Sequence, residues 1–195
     1  MSKKLRIYLT GVGGQGTLTA TTLLSRTIMD AGHEVVSGEI HGMAQRGGVV
    51  ESTVLMGGWL SPKIQHGEAD ILLGFEALET LRALPYLAKG GHVFSSTDFV
   101  PPPGVSIGRE CLPPIEDIKE SVKAAAEKSW FLPLTGIGHT AGAVQSGNTA
   151  MLAALCASGL LPAGIDALRA SMKKYMSPKV LEVNLRALEA GAGAI

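Results

Sequence analysis

The chain switches between two apolar rhythms, and the switches outline its elements. Leu5 to Thr10 reads as a first, central strand, and short apolar runs at 34–37, 49–56, 70–73, 92–95 and 131–134 read as further strands. Between them the spacing lengthens to that of a helix. Leu18, Leu23, Leu24, Ile28 and Ala31 give residues 17–31 one apolar face, and Ala77, Leu78, Leu81 and Leu84 do the same for 76–84. Helices are also predicted over 115–128, 148–161, 165–175 and 179–189. The 148–161 stretch is the most apolar, and its small residues Ala150, Ala153, Ala154 and Ala157 allow close helix contact. Strands alternating with helices predict an α/β fold. The Val35-Val36 pair suits a strand buried in a parallel sheet. Residues 135–142 carry neither rhythm and read as a glycine-rich, mobile loop, while Pro101 to Gly104 reads as a rigid extended connection.

At 195 residues the chain suits a single domain, residues 1–195, with room for a substantial core. Seventeen basic and seventeen acidic residues cancel, so charge favours no polyanionic partner and no nucleic acid. That neutrality suits a subunit that hides surface better than a lone monomer. Lys3, Lys4 and Arg6 precede an apolar run that glycines soon cut, so the run reads as a strand, not a leader. No stretch approaches the ~18 apolar residues of a membrane span, and the cytoplasm is the expected compartment. Two cysteines, Cys111 and Cys156, are too few for a four-thiolate iron-sulfur cluster within the chain, and Cys111 reads as a small buried hydrophobe. The five histidines show no metal-ligand spacing, and no Walker-type, His-Glu-x-x-His or Gly-x-Ser-x-Gly motif is present.

Two polar, glycine-rich stretches carry the candidate chemistry. Gly11, Gly13 and Gly16, with Gly14 and Gln15 between, have the G-x-G-x-x-G spacing of a strand-turn-helix phosphate loop. In such a loop the first glycine turns the chain, the second admits a bound group and the third packs helix on strand. A dinucleotide, another anion or only a tight turn remain open at this point. Glu39 stands where a ribose-binding acid would be expected. The second stretch, 38–48, places Glu39, His41, Gln45 and Arg46 among glycines that include Gly47 and Gly48, just beyond a predicted strand end where open α/β sheets build sites. Arg46 could hold a carboxylate or phosphate in bidentate fashion, or pair with Glu39 or a partner chain. Glu76 either favours a helix dipole or points into the same crevice as the glycine turn. His139 is a further loop candidate.

The run 11–16 together with Glu39-Ile40-His41-Gly42-Met43-Ala44-Gln45-Arg46-Gly47-Gly48, 69–79 and 148–152 resembles the gamma-type domain of 2-oxoacid:ferredoxin oxidoreductases over nearly the whole chain. The His-Gly-Met-Ala-Gln-Arg-Gly-Gly form points to the small (beta) subunits of its indolepyruvate branch. The resemblance implies a three-layer Rossmann-like domain with a mostly parallel central sheet, and a subunit not active alone. It implies a hetero-oligomer in which a large (alpha) subunit carries thiamine diphosphate and iron-sulfur clusters, with no cofactor or metal on this chain. The reaction implied is the CoA-dependent oxidative decarboxylation of indolepyruvate or a related aryl 2-oxoacid to the acyl-CoA and CO2, with ferredoxin as electron acceptor. Gly13 to Gln15 and His41 to Gly48 would face the shared region. Ser96-Thr97 departs from the asparagine often found after this strand in the family. A free-standing dinucleotide-dependent oxidoreductase and a non-catalytic structural or regulatory module are the alternatives.

Overall fold

The computed structural model describes residues 4–41 and 47–195. Six strands form one sheet: β1 (Leu5–Val12), β2 (Val35–His41), β3 (Val49–Met56), β4 (Ala69–Gly74), β5 (Leu87–Ser96) and β6 (Lys128–Leu132). Their order is β2-β3-β1-β4-β5-β6. The pairs β1–β4, β4–β5 and β5–β6 are parallel, whereas β3 is antiparallel to both β1 and β2. One strand of six therefore runs against the rest.

The period-two alternation of the strands sends side chains to two separate cores. Ile7 and Leu9 of β1, Val54, Ile71, Leu73 and Phe94 face one side. There they pack on α1 (Thr17–Asp30), α6 (Gly147–Ala157) and α7 (Ile165–Tyr175), with Leu188 of α8 (Pro178–Ala192) in the same core. Tyr8, Leu55, Leu72 and Val93 face the other side, against α2 (Ala77–Ala83) and Ile118 and Val122 of α4 (Ile115–Ala125). The α6 segment carries no polar face because almost every position in it is buried. Its interior position explains a composition that amphipathic spacing alone would not produce.

Several expectations are corrected. The second strand is longer than the Val35-Val36 signal suggested and is neither buried nor in a parallel pair: β2 is an edge strand whose seven residues pair antiparallel with β3. Glu39 and His41 thus lie within a strand, not beyond its end. An edge strand only partly covered on either face has little need for an apolar rhythm, which hid its length. Residues 135–142 are mostly helical, as α5 (Leu134–Ala141), despite three glycines. Gly138 among them serves contact. A Cβ on Gly138 would lie 2.3 Å from the Val144 carbonyl oxygen, and one on Gly147 2.3 Å from that of Leu134. Pro103–Ser106 forms a single helical turn, α3, which begins within the expected extended connection Pro101 to Gly104 and runs past it. Cys111 is exposed, whereas Cys156 is buried in α6. No helix among the described residues is long and apolar enough to cross a membrane.

Candidate functional site

The sheet order reverses between β1 and β4: the chain leaves β1 through α1 toward one edge and leaves β4 through α2 toward the other. Open α/β sheets bind ligands at such a point, outside the carboxyl ends of the strands. The glycine turn stands there, and its glycines divide their work differently from the spacing rule. Gly11 belongs to β1, paired opposite Val50, because β3 extends the strand two residues past Thr10. A Cβ at Gly11 would come within 2.7 Å of Thr17 Oγ1 and 3.2 Å of Phe75 Cβ, so this glycine lets α1 and the end of β4 close on the strand. Gly14 (φ 98°) and Gly16 (φ 86°) make the turn, in a region that disfavours any side chain.

Three contacts from distant or neighbouring segments hold the turn. Gln15 folds back so that its Oε1 accepts from the Val12 amide at 2.8 Å. Asn148, in the first turn of α6, donates from Nδ2 to the Gln15 carbonyl at 2.6 Å across 133 residues of sequence. The return of the β2–β3 hairpin docks on Gly13: its amide donates to the Gly48 carbonyl at 2.8 Å, and Gly47 donates to the Gly13 carbonyl at 3.3 Å. Gly47 is itself left-handed, with φ 74°. The two glycine-rich stretches singled out in the sequence therefore meet at their backbones. Gln45 and Arg46 lie outside the described residues.

Two hollows flank this turn. A cleft of about 550 Å³ opens between α1, α6 and the start of α8, with Gly14 and Gly16 at one end and Leu23, Leu152, Met176 and Val183 along its walls. Its volume falls within the usual range for small-molecule sites. A crevice of about 200 Å³ lies on the other side, between Gly14, Gln15, Phe75, Asp98 and Thr135. Asn148 lines both. The polar corner of the crevice is built locally. Asp98 accepts from the Thr135 amide at 2.7 Å, close to the start of α5, and from Ser96 Oγ at 3.1 Å.

The remaining candidates stand apart. Glu76 is 1% exposed and is the N-cap of α2, accepting from the Glu79 amide at 2.7 Å and, through its other oxygen, from the Val100 amide at 3.1 Å. Burial pushes its carboxyl above the usual carboxylate range, and these backbone donors pull the other way. Both oxygens are engaged in capping and tying. Glu39 is exposed and lies opposite Ser52, which lies opposite Leu9. It is two strand spacings, roughly 10 Å, from the strand that feeds the turn. His41 falls at the end of β2, in register with Val50 and thence Gly11. His139 is in α5. Asn148 and Asp98 were missed as site residues because their importance is a contact across the fold, invisible in local spacing. Among the described residues no group of three or more His, Cys, Asp or Glu side chains could hold a metal ion.

Comparison with known proteins agrees with this fold. A solved structure, the pyruvate oxidoreductase subunit PORC of Thermotoga maritima, superposes with a TM-score of 0.73 over 99% of this chain and 97% of its own, at 19% identity, which establishes the shared fold. The indolepyruvate oxidoreductase subunit IorB of Archaeoglobus fulgidus is 34% identical over 188 residues, 96% of this chain and 94% of the relative. That of Thermococcus kodakarensis is 35% identical over 194 residues, 98% and 96% of the two chains. The family model "Pyruvate ferredoxin/flavodoxin oxidoreductase" matches residues 6–194. The chain belongs to the pyruvate ferredoxin/flavodoxin oxidoreductase family.

Proposed function

We propose that this chain is the small, accessory subunit of a cytoplasmic 2-oxoacid:ferredoxin oxidoreductase acting on indolepyruvate or a related aryl 2-oxoacid. The complex converts substrate and CoA to the acyl-CoA and CO2 and passes two electrons to ferredoxin. The large subunit supplies thiamine diphosphate, which stabilises the carbanion left by CO2, and the clusters that take electrons one at a time. The observation that carries this reading is end-to-end likeness to subunits bearing the indolepyruvate oxidoreductase name. The geometry adds a glycine turn held at the switch point by backbone and side-chain hydrogen bonds, beside a cleft walled by Leu23, Leu152, Met176 and Val183. Such a site seats a ligand for chemistry performed by another chain. Gly13 to Gln15 and residues His41 to Gly48 face that shared region and help to seat CoA or the 2-oxoacid.

The topology weighs against a free-standing dinucleotide enzyme. That function would place an acid at the tip of the strand next to β1, and here the antiparallel β3 occupies the neighbouring position, leaving Glu39 one strand further out. The test is anaerobic isolation at native expression level. A brown complex with a larger subunit, absorbing near ~400 nm and containing thiamine diphosphate, is expected. A colourless homo-oligomer carrying stoichiometric NAD or FAD overturns the proposal.

A further inference from the structure

The segment 148–152 carries family resemblance but has no assigned task, and its first residue touches the site. We propose that Asn148 is a positioning residue that sets the direction in which the glycine turn presents its amides to the bound substrate. The inference rests on the proposed accessory function and names the residue through which α6 serves it.

A trans peptide ties its carbonyl and N–H in opposite directions. Asn148 Nδ2 holds the Gln15 carbonyl at 2.6 Å, and so fixes the direction of the Gly16 N–H, the amide at the head of α1. That helix has no side-chain cap hydrogen bond of its own at Gly16. A Cβ on Gly16 would lie 2.9 Å from Asn148 Nδ2, showing how closely the amide sits against the turn.

The mounting of Asn148 is stiff. Its helix is the most buried in the chain, with Met151, Leu152 and Leu155 fully enclosed. Gly147 lets the helix start against the Leu134 carbonyl. The next residue, Thr149, donates to Asn184 Oδ1 at 2.6 Å and locks α6 to α8. A side chain on so rigid a base, forming the partition between the two hollows, holds a binding turn more accurately than a loop residue could. Because Asn148 acts through the turn and supplies no reacting group, its loss weakens the seating of a substrate and spares the chemistry on the large subunit.

The test uses the assembled two-subunit enzyme with Asn148→Ala and Asn148→Asp. The aspartate keeps the shape but turns a donor into an acceptor facing a carbonyl. Both variants are expected to raise the KM for CoA or for the aryl 2-oxoacid roughly tenfold or more, with kcat within about twofold, the usual reach of one lost hydrogen bond and its geometry. Asn148→Asp should be at least as impaired as Asn148→Ala. Unchanged KM for both substrates, a near-normal aspartate variant, or a fall in kcat matched by failure to assemble would overturn the proposal. Hydrogen exchange in the isolated chain gives a second readout that survives an inactive wild-type complex, which would count against the accessory function alone. Asn148→Ala should speed exchange roughly tenfold at Gln15, whose amide donates to the Val12 carbonyl at 3.1 Å within the turn, and leave the middle of α1 unchanged. Equal protection at Gln15 in both proteins would contradict the positioning role.

Discussion

Gly13 and Gly48 are joined backbone to backbone, the Gly13 amide donating to the Gly48 carbonyl at 2.8 Å. With the reciprocal Gly47 to Gly13 bond, this makes the glycine turn and the segment leading into β3 one unit. A displacement at 47–48 is therefore felt at the turn. Gly47→Ala tests that link. The space around Gly47 is open, yet its φ of 74° costs an alanine about 1–2 kcal/mol. The melting temperature should fall by about 2–8 °C, and exchange at the Gly13 amide should accelerate. An unchanged Gly13 amide would mean that the two segments move independently.

Glu76→Ala removes a cap and strands two backbone donors, those of Glu79 and Val100. A loss of about 2 kcal/mol is expected, or roughly 4–8 °C in melting temperature for a chain of this size. Assembled activity should fall no more than the loss of folded subunit explains. A large drop in kcat at unchanged stability would return Glu76 to the list of substrate-facing residues.

The sequence made the sheet-and-helix alternation legible because buried strands such as 70–73 and the α1 face need strong apolar periods. It concealed β2 beyond Ser37, since Gly38, Glu39 and Ile40 lie on an edge with no common buried face. It also concealed α5, where glycine reads as a breaker until the Val144 carbonyl is seen pressed against Gly138. The glycine turn was legible as a motif, but its partners were not. Asn148 reaches it from 133 residues away, and no local rhythm records such a contact.

Gly138→Ala measures how far close packing overrides helix propensity. Alanine is the better helix former, but its Cβ would sit 2.3 Å from the Val144 oxygen. Overpacking against backbone should cost about 1–3 kcal/mol and lower the melting temperature by roughly 2–12 °C. A stabilised variant would show that α5 is free to shift.

Asp30 couples α1 to α7 by accepting from Lys174 Nζ at 2.8 Å, the Tyr175 hydroxyl at 3.1 Å and Ser171 Oγ at 3.2 Å. The Lys174 bond, foremost, holds its carboxyl below the usual carboxylate range. A lowered acid stabilises the fold above its unfolded pKa, and that contribution is lost as pH falls through the folded value. Asp30→Asn should therefore be less stable near neutrality and show a flatter decline on acidification. Identical acid limbs for the two proteins in a melting series would refute the coupling.

The most direct measurement is CoA-dependent reduction of ferredoxin by indolepyruvate, made anaerobically with the large subunit, this chain and both together. The account predicts turnover only with both chains and with CoA, and a strong preference for an aryl 2-oxoacid over pyruvate. Equal turnover by the large subunit alone would contradict it, as would hydride transfer to a nicotinamide by this chain without a partner.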